Sequence, residues 1–133
     1  MDTDPFTGTW TYRSFINNPD LDVAFNSLRF GAGTLTLRSE DFGHVVGTLG
    51  GTGWELTLNG AVSYGNPFAC RFQGVGEIDG ETWVYDYQGY LTSVWPHGVD
   101  QRPAITGSVI RTVAHSNGQA TAGFVASFIA GRS

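Results

Sequence analysis

Residues 67–92 read PFACRFQGVGEIDGETWVYDYQGYLT, and this stretch decides the fold. Asp79-Gly80 stands at its centre. A two-residue type I′ turn needs positive φ at both central positions, which Asp-Gly accepts at little cost, so the pair predicts a tight β-hairpin. The flanks, Pro67–Ile78 and Glu81–Thr92, have strand character. In the second, Trp83, Tyr85, Tyr87 and Leu91 fall on one face, the period of two that marks a strand with one face buried. Glu77, Asp86 and Arg71 fall on the opposite face and are expected to meet solvent or to pair across strands.

The same pattern recurs in both directions. Phe6–Ile16 places Phe6, Gly8, Trp10, Tyr12 and Ile16 on one face. Ser27–Arg38 is interrupted by Gly31 and Gly33, which predict a bulge or sharp coil. His44–Leu49 follows the turn at Ser39–Phe42, and Gly50–Gly53 leads into Trp54–Ser63, where Trp54, Leu56, Leu58 and Val62 alternate with polar residues. Beyond the hairpin come Pro103–Val113, an Asn117-Gly118 turn, and Ala120–Ala130. Between the first two strands, Asn18 and Pro19 predict either a short helical turn or an extended lead. Eight short strands without crossover helices imply antiparallel pairing in a single domain over residues 1–133. The predicted fold is all-β, an eight-stranded antiparallel up-and-down barrel, because closure removes exposed sheet edges. A two-sheet sandwich is the competing architecture.

Composition narrows the functional classes. The chain has 133 residues with a formal charge of −5, and no Lys/Arg stripe is visible, so nucleic acid is not an expected partner. The lone Cys70 excludes an intrachain disulfide, and its apolar strand context predicts an inert thiol. No apolar run is long enough for a transmembrane helix, so no membrane partner is expected. The acidic start, Met1-Asp2-Thr3-Asp4-Pro5, lacks the apolar core of a signal peptide, which predicts a cytoplasmic location.

Phe6-Thr7-Gly8-Thr9-Trp10, opening the first strand of an eight-strand meander, resembles the calycins: lipocalins, avidins and fatty-acid-binding proteins. The Thr-Gly-Thr-Trp opening is most similar to that of avidins. The resemblance implies that Trp10 plugs one barrel end and packs under a basic residue from near the chain's end, either Arg111 or Arg132. A guanidinium stacked on an indole supplies the physical basis for such a pair.

In an up-and-down barrel the connections alternate between two ends. One end collects Glu40, Asp41, His44, Tyr64, Asn66, and the long connection Ser93–Arg102 with Trp95, His97 and Asp100. Long loops on a rigid scaffold concentrate function, so this end is the expected ligand mouth. The aromatic inner face offers Tyr12, Trp54, Phe72, Trp83, Tyr85, Tyr87 and Phe128 as cavity-lining or core-filling residues. Strand-interior glycines (Gly47, Gly60, Gly74, Gly76, Gly89, Gly107) either leave internal space or permit strong coiling. The three histidines, His44, His97 and His115, do not converge, so no metal site is expected, and no cofactor motif is present. Residues 123–130 are apolar on both faces, and the outward Val125 and Ile129 predict a homo-oligomer, most simply a dimer. The expected function is binding of a small apolar or aromatic molecule. The alternatives are a small cyclase- or isomerase-type enzyme using His97, Asp100 or a lining tyrosine as acid/base, or an interaction protein with a filled barrel. Asp86 joins the acid/base candidates only if the strand parity is reversed.

Overall fold

The computed structural model describes residues 5–133. Eight strands form a closed barrel in sequential order: β1 (Gly8–Ile16), β2 (Arg29–Ser39), β3 (His44–Gly51), β4 (Trp54–Ser63), β5 (Ala69–Ile78), β6 (Glu81–Leu91), β7 (Ala104–Arg111) and β8 (Val125–Arg132). Every neighbouring pair is antiparallel, and β1 closes the sheet by pairing with β8 from Trp10↔Arg132 to Ile16↔Ala126. The expected up-and-down barrel is therefore the observed fold, and the sandwich is excluded. No helix among the described residues is long and apolar enough to cross a membrane.

The hairpin signal behaves as its chemistry requires: Asp79 has φ 52° and Gly80 φ 79°. The first connection resolves to a short 3-10 turn at Phe25–Leu28 rather than a helix begun at Pro19. Asn18 instead accepts the Asp20 backbone N–H on its side chain, the local bond that lets Asn compete with helix formation. The register passes from Ser14↔Gly31 to Phe15↔Arg29 and so leaves Phe30 as an extra residue of β2, a bulge beside Gly31 as expected, while β1 keeps its alternation against β8 with Ile16 opposite the buried Ala126. The last strand begins at Val125 rather than Ala120, because residues 112–124 fold back on themselves through a His115↔Ala120 bridge.

Strand direction defines two ends. The connections 17–28, 52–53, 79–80 and 112–124 share one end; 40–43, 64–68 and 92–103 share the other with the start of β1 and the end of β8. The second end is sealed. Trp10 and Phe6 are both fully buried, and the Trp10 indole N–H donates to the Phe6 carbonyl at 2.9 Å. The Arg132 guanidinium lies 4.4 Å from the Trp10 ring centroid, and its Nη2 donates to the Pro5 carbonyl at 2.7 Å. Arg132 thus covers Trp10. Arg111, the other candidate, cannot: it ends β7 at the opposite end of the barrel. Leu35, Leu37, Leu49, Leu58 and Ile105 belong to the same core as Trp10, all nearly or fully buried.

The interior glycines mostly serve backbone approach and not open space. A Cβ on Gly47 would stand 1.8 Å from the Thr36 carbonyl oxygen, one on Gly60 1.9 Å from that of Arg71, and one on Gly107 1.9 Å from that of Gln88. Gly76 meets the Glu55 carbonyl in the same way. Gly74 and Gly89 face inward, but Leu56, Leu58, Ile105 and Phe128 already occupy the space beside them. The coiling alternative is therefore the observed one at these positions.

Candidate functional site

The open half of the barrel holds a cavity of about 280 Å³. Its origin is a pair of small residues. Ser14 and Gly31 are register partners across β1 and β2, and between them they place a hydroxyl where two large side chains would otherwise meet. Phe30, Trp54, Leu56 and Trp83 form the apolar walls. Trp54 and Trp83 lie near the starts of β4 and β6, so their indoles stand at the open end.

The floor is aromatic and carries hydroxyls. Tyr12 and Tyr87 line it, packed edge-on with centroids 6.2 Å apart. Phe72 stacks behind Tyr87 at 5.0 Å, and Phe128 lies 5.5 Å from the Tyr12 ring. Phe72 therefore supports the floor and does not line the cavity. Burial pushes the Tyr12 pKa up to about 12 and the Tyr87 pKa well above its ordinary value. Both phenols are neutral acids at physiological pH. Ser14 Oγ is wholly buried and completes no hydrogen bond. It acts on Tyr12 only as a secondary influence opposing the effect of burial.

The mouth is polar and ordered by one chain of hydrogen bonds. Arg111 Nε donates to the Tyr85 hydroxyl oxygen at 2.9 Å. That hydroxyl and His115 Nε2 are 2.8 Å apart. His115 Nδ1 lies 3.0 Å from Ser116 Oγ, so each ring nitrogen has a hydroxyl partner. The ring stacks on Trp83 with centroids 3.9 Å apart. Glu81 fixes the turn that carries it by accepting the backbone N–H groups of Ser116 and Asn117. The Arg111 guanidinium lies 5.3 Å from the ring centroids of both Phe30 and Phe124, and its Nη1 donates to the Thr121 carbonyl.

Burial lowers the His115 pKa below its ordinary value of 6.5; the Arg111 charge adds to this and Glu81 opposes it. The sign for stability follows. The unfolded chain binds a proton at His115 near its ordinary value, about pH 6.5, whereas the folded chain binds it only at lower pH. The contribution of the neutral imidazole is complete above that value and is lost as pH falls toward the folded pKa. Thermal midpoints should therefore drop as pH falls below about 6.5, with His115→Gln showing a shallower drop. A variant with the same slope as the parent would assign the acid sensitivity to other groups.

The residues expected at the site divide between the two ends. Tyr12, Trp54, Trp83, Tyr85 and Tyr87 come together in the cavity. His44, Tyr64, Trp95, His97 and Asp100 belong to the sealed end and do not line it. His44 Nε2 bonds Asn59 Oδ1, Tyr64 packs edge-on against Phe68, and Trp95 is 71% exposed. The loop carrying His97 and Asp100 is held by Gln101, whose side chain brackets the Trp95 backbone by accepting its N–H and donating to its carbonyl. The expected mouth is thus at the wrong end of this cavity. Long polar-aromatic loops mark an end of the barrel, but hollow space depends on side-chain volumes inside. Ser14, Phe30, Gly31, Leu56, Arg111 and His115 were the lining residues that loop reasoning missed. Arg111 shares the inward parity of Ile105 and Val109, a signal readable from sequence; the fold-back that delivers His115 has no such signal. Among the described residues, no three His, Cys, Asp or Glu side chains group in a way that could hold a metal ion.

Comparison of the chain with protein-family models, with known proteins and with solved structures finds no match.

Proposed function

We propose that this barrel binds a small, largely planar apolar molecule in its open half. The observation that carries the reading is the aromatic-walled cavity of about 280 Å³ with a short set of convergent polar groups. That volume is near the lower limit of ligand pockets, and the mixture of apolar walls and few polar groups is their usual character. The indoles of Trp54 and Trp83 offer flat faces, while Tyr12, Ser14 and Tyr85 offer hydroxyls that orient a ligand. The sealed opposite end, with Arg132 over Trp10, supports a calycin-like architecture. The outward Val125 and Ile129 of β8, each more than 40% exposed, favour association with a second copy.

A second reading has its own support. Tyr85 and His115 form an acid/base pair at the cavity's mouth, which suits an enzyme acting by enclosure and one proton transfer. In that reading Tyr85 or His115, and not His97 or Asp100, handles the proton.

Native mass spectrometry followed by denaturation would identify a co-purifying molecule. A direct test uses naphthalene-2-carboxamide as a neutral planar probe and the tryptophan emission of Trp54 and Trp83 as signal. Quenching should saturate for the parent. Ser14→Leu fills the space beside Gly31 and removes a buried unbonded hydroxyl, so it should weaken binding at least about tenfold without loss of thermal stability. Equal binding by parent and variant would place the probe outside the cavity and overturn the reading.

A further inference from the structure

We propose that the ligand of this cavity carries an anionic group, a carboxylate or comparable acidic oxygen pair, seated against Arg111. This rests on the binding reading above and specifies the ligand's charge. Arg111 is 9% exposed, yet among the described residues no carboxylate forms an ion pair with it. Its guanidinium is surrounded by three aromatic rings, one phenol oxygen and one backbone carbonyl. These groups solvate the cation but do not neutralise it. A buried charge is costly unless paired, so an unpaired one at a cavity mouth selects a counter-ion from outside the chain.

The electrostatics of the lining agree. Burial and the neighbouring Arg111 charge favour a neutral His115, and the two floor tyrosines stay protonated. No carboxylate lines the cavity. Its net charge is therefore the single positive charge of Arg111, set within a chain whose formal charge is −5. Nε and Nη1 are engaged by Tyr85 and Thr121, while Nη2 makes no hydrogen bond among the described residues. Nη2, together with the second N–H of Nη1, is left for an acidic oxygen pair. Ser14 supplies a separate observation: a wholly buried hydroxyl lining the same cavity, with no hydrogen bond of full geometry and only a weak interaction with Tyr12. The geometry fits a planar body between the tryptophans, with its acid at Arg111 and a hydrogen-bonding atom at Ser14.

The test compares naphthalene-2-carboxylate with naphthalene-2-carboxamide, which have nearly the same shape and differ in charge, on the full chain in low-chloride buffer. The carboxylate should bind at least about tenfold more tightly, as expected for one charge-assisted contact in a desolvated site. Arg111→Met should abolish that preference, so that the carboxylate and the amide bind the variant with equal affinity. Arg111→Lys keeps the charge without the fork and should retain part of the preference, which covers the case in which the methionine variant fails to fold. Equal affinities in the parent, or a preference surviving Arg111→Met, would overturn the proposal while leaving the cavity as a neutral site. Competition by chloride alone, with no difference between the two naphthalenes, would make Arg111 an inorganic-anion site and overturn it as well. Binding of neither compound would remove the cavity reading itself and the proposal with it.

Discussion

Trp10→Ala should destabilise the barrel by about 3–5 kcal/mol, the cost of emptying a large buried aromatic site. Three losses coincide there. The indole is fully buried, so its removal leaves a cavity in the sealed end. The indole's hydrogen bond to the Phe6 carbonyl, made in a fully buried setting, is lost. The Arg132 guanidinium loses the ring it covers. In a chain of this length the thermal midpoint should fall by more than about 10 °C. Arg132→Met, which keeps the aliphatic cover, should have a smaller effect. Combined with Trp10→Ala, it should add little, because the two side chains act on one contact. Full additivity in the double-mutant cycle would mean that the pair is not coupled.

The second large effect belongs to residues with no side chain. Gly107→Ala would place a methyl 1.9 Å from the Gln88 carbonyl oxygen and 2.7 Å from the Gly89 Cα. Both obstacles are backbone on the neighbouring strand, so relief requires β6 and β7 to separate. A loss of about 3 kcal/mol or more is expected, beyond ordinary overpacking because no rotamer change can absorb it. Gly60→Ala, facing the Arg71 carbonyl, should behave alike. Gly131→Ala is the control: nothing lies within 4 Å of its would-be Cβ, so it should be neutral or slightly stabilising. Thermal denaturation of the three variants decides the matter. A tolerated Gly107→Ala would show that the two strands are not held so closely.

Most of the fold was readable in the chain because period-two patterning and turn chemistry are local. The alternation of Trp83, Tyr85 and Tyr87 and the Asp79-Gly80 turn carry their own register, and the inward parity of Tyr12 and Trp54 follows from the same rule. Two things were not local. Which arginine covers Trp10 depends on which strand ends meet, and only the closure of β1 on β8 sets Arg132 beside it. Which half of the barrel is hollow depends on side chains brought together across strands. Ser14 and Gly31 lie apart in sequence but opposite each other in the sheet, whereas at the pair Leu35 and Leu49 two large side chains meet. A glycine met in a strand reads the same whether it makes room, as Gly31 does, or admits a neighbouring carbonyl, as Gly107 does.

The closing ladder also orders events during synthesis. β1 is made first and β8 last, and their contacts span the chain, as in the Thr11–Ser133 hydroxyl pair separated by 122 positions. Seven strands can pair with sequence neighbours while the eighth is still being made. Until Val125–Arg132 emerges from the ribosome, β1 and β7 each present an unpaired backbone edge, and Trp10 lacks its arginine cover. Contacts of such sequence separation are slow to form. Without the final strand the sheet keeps two unpaired edges, of the kind that template pairing with other chains, so closure by β8 is what removes them.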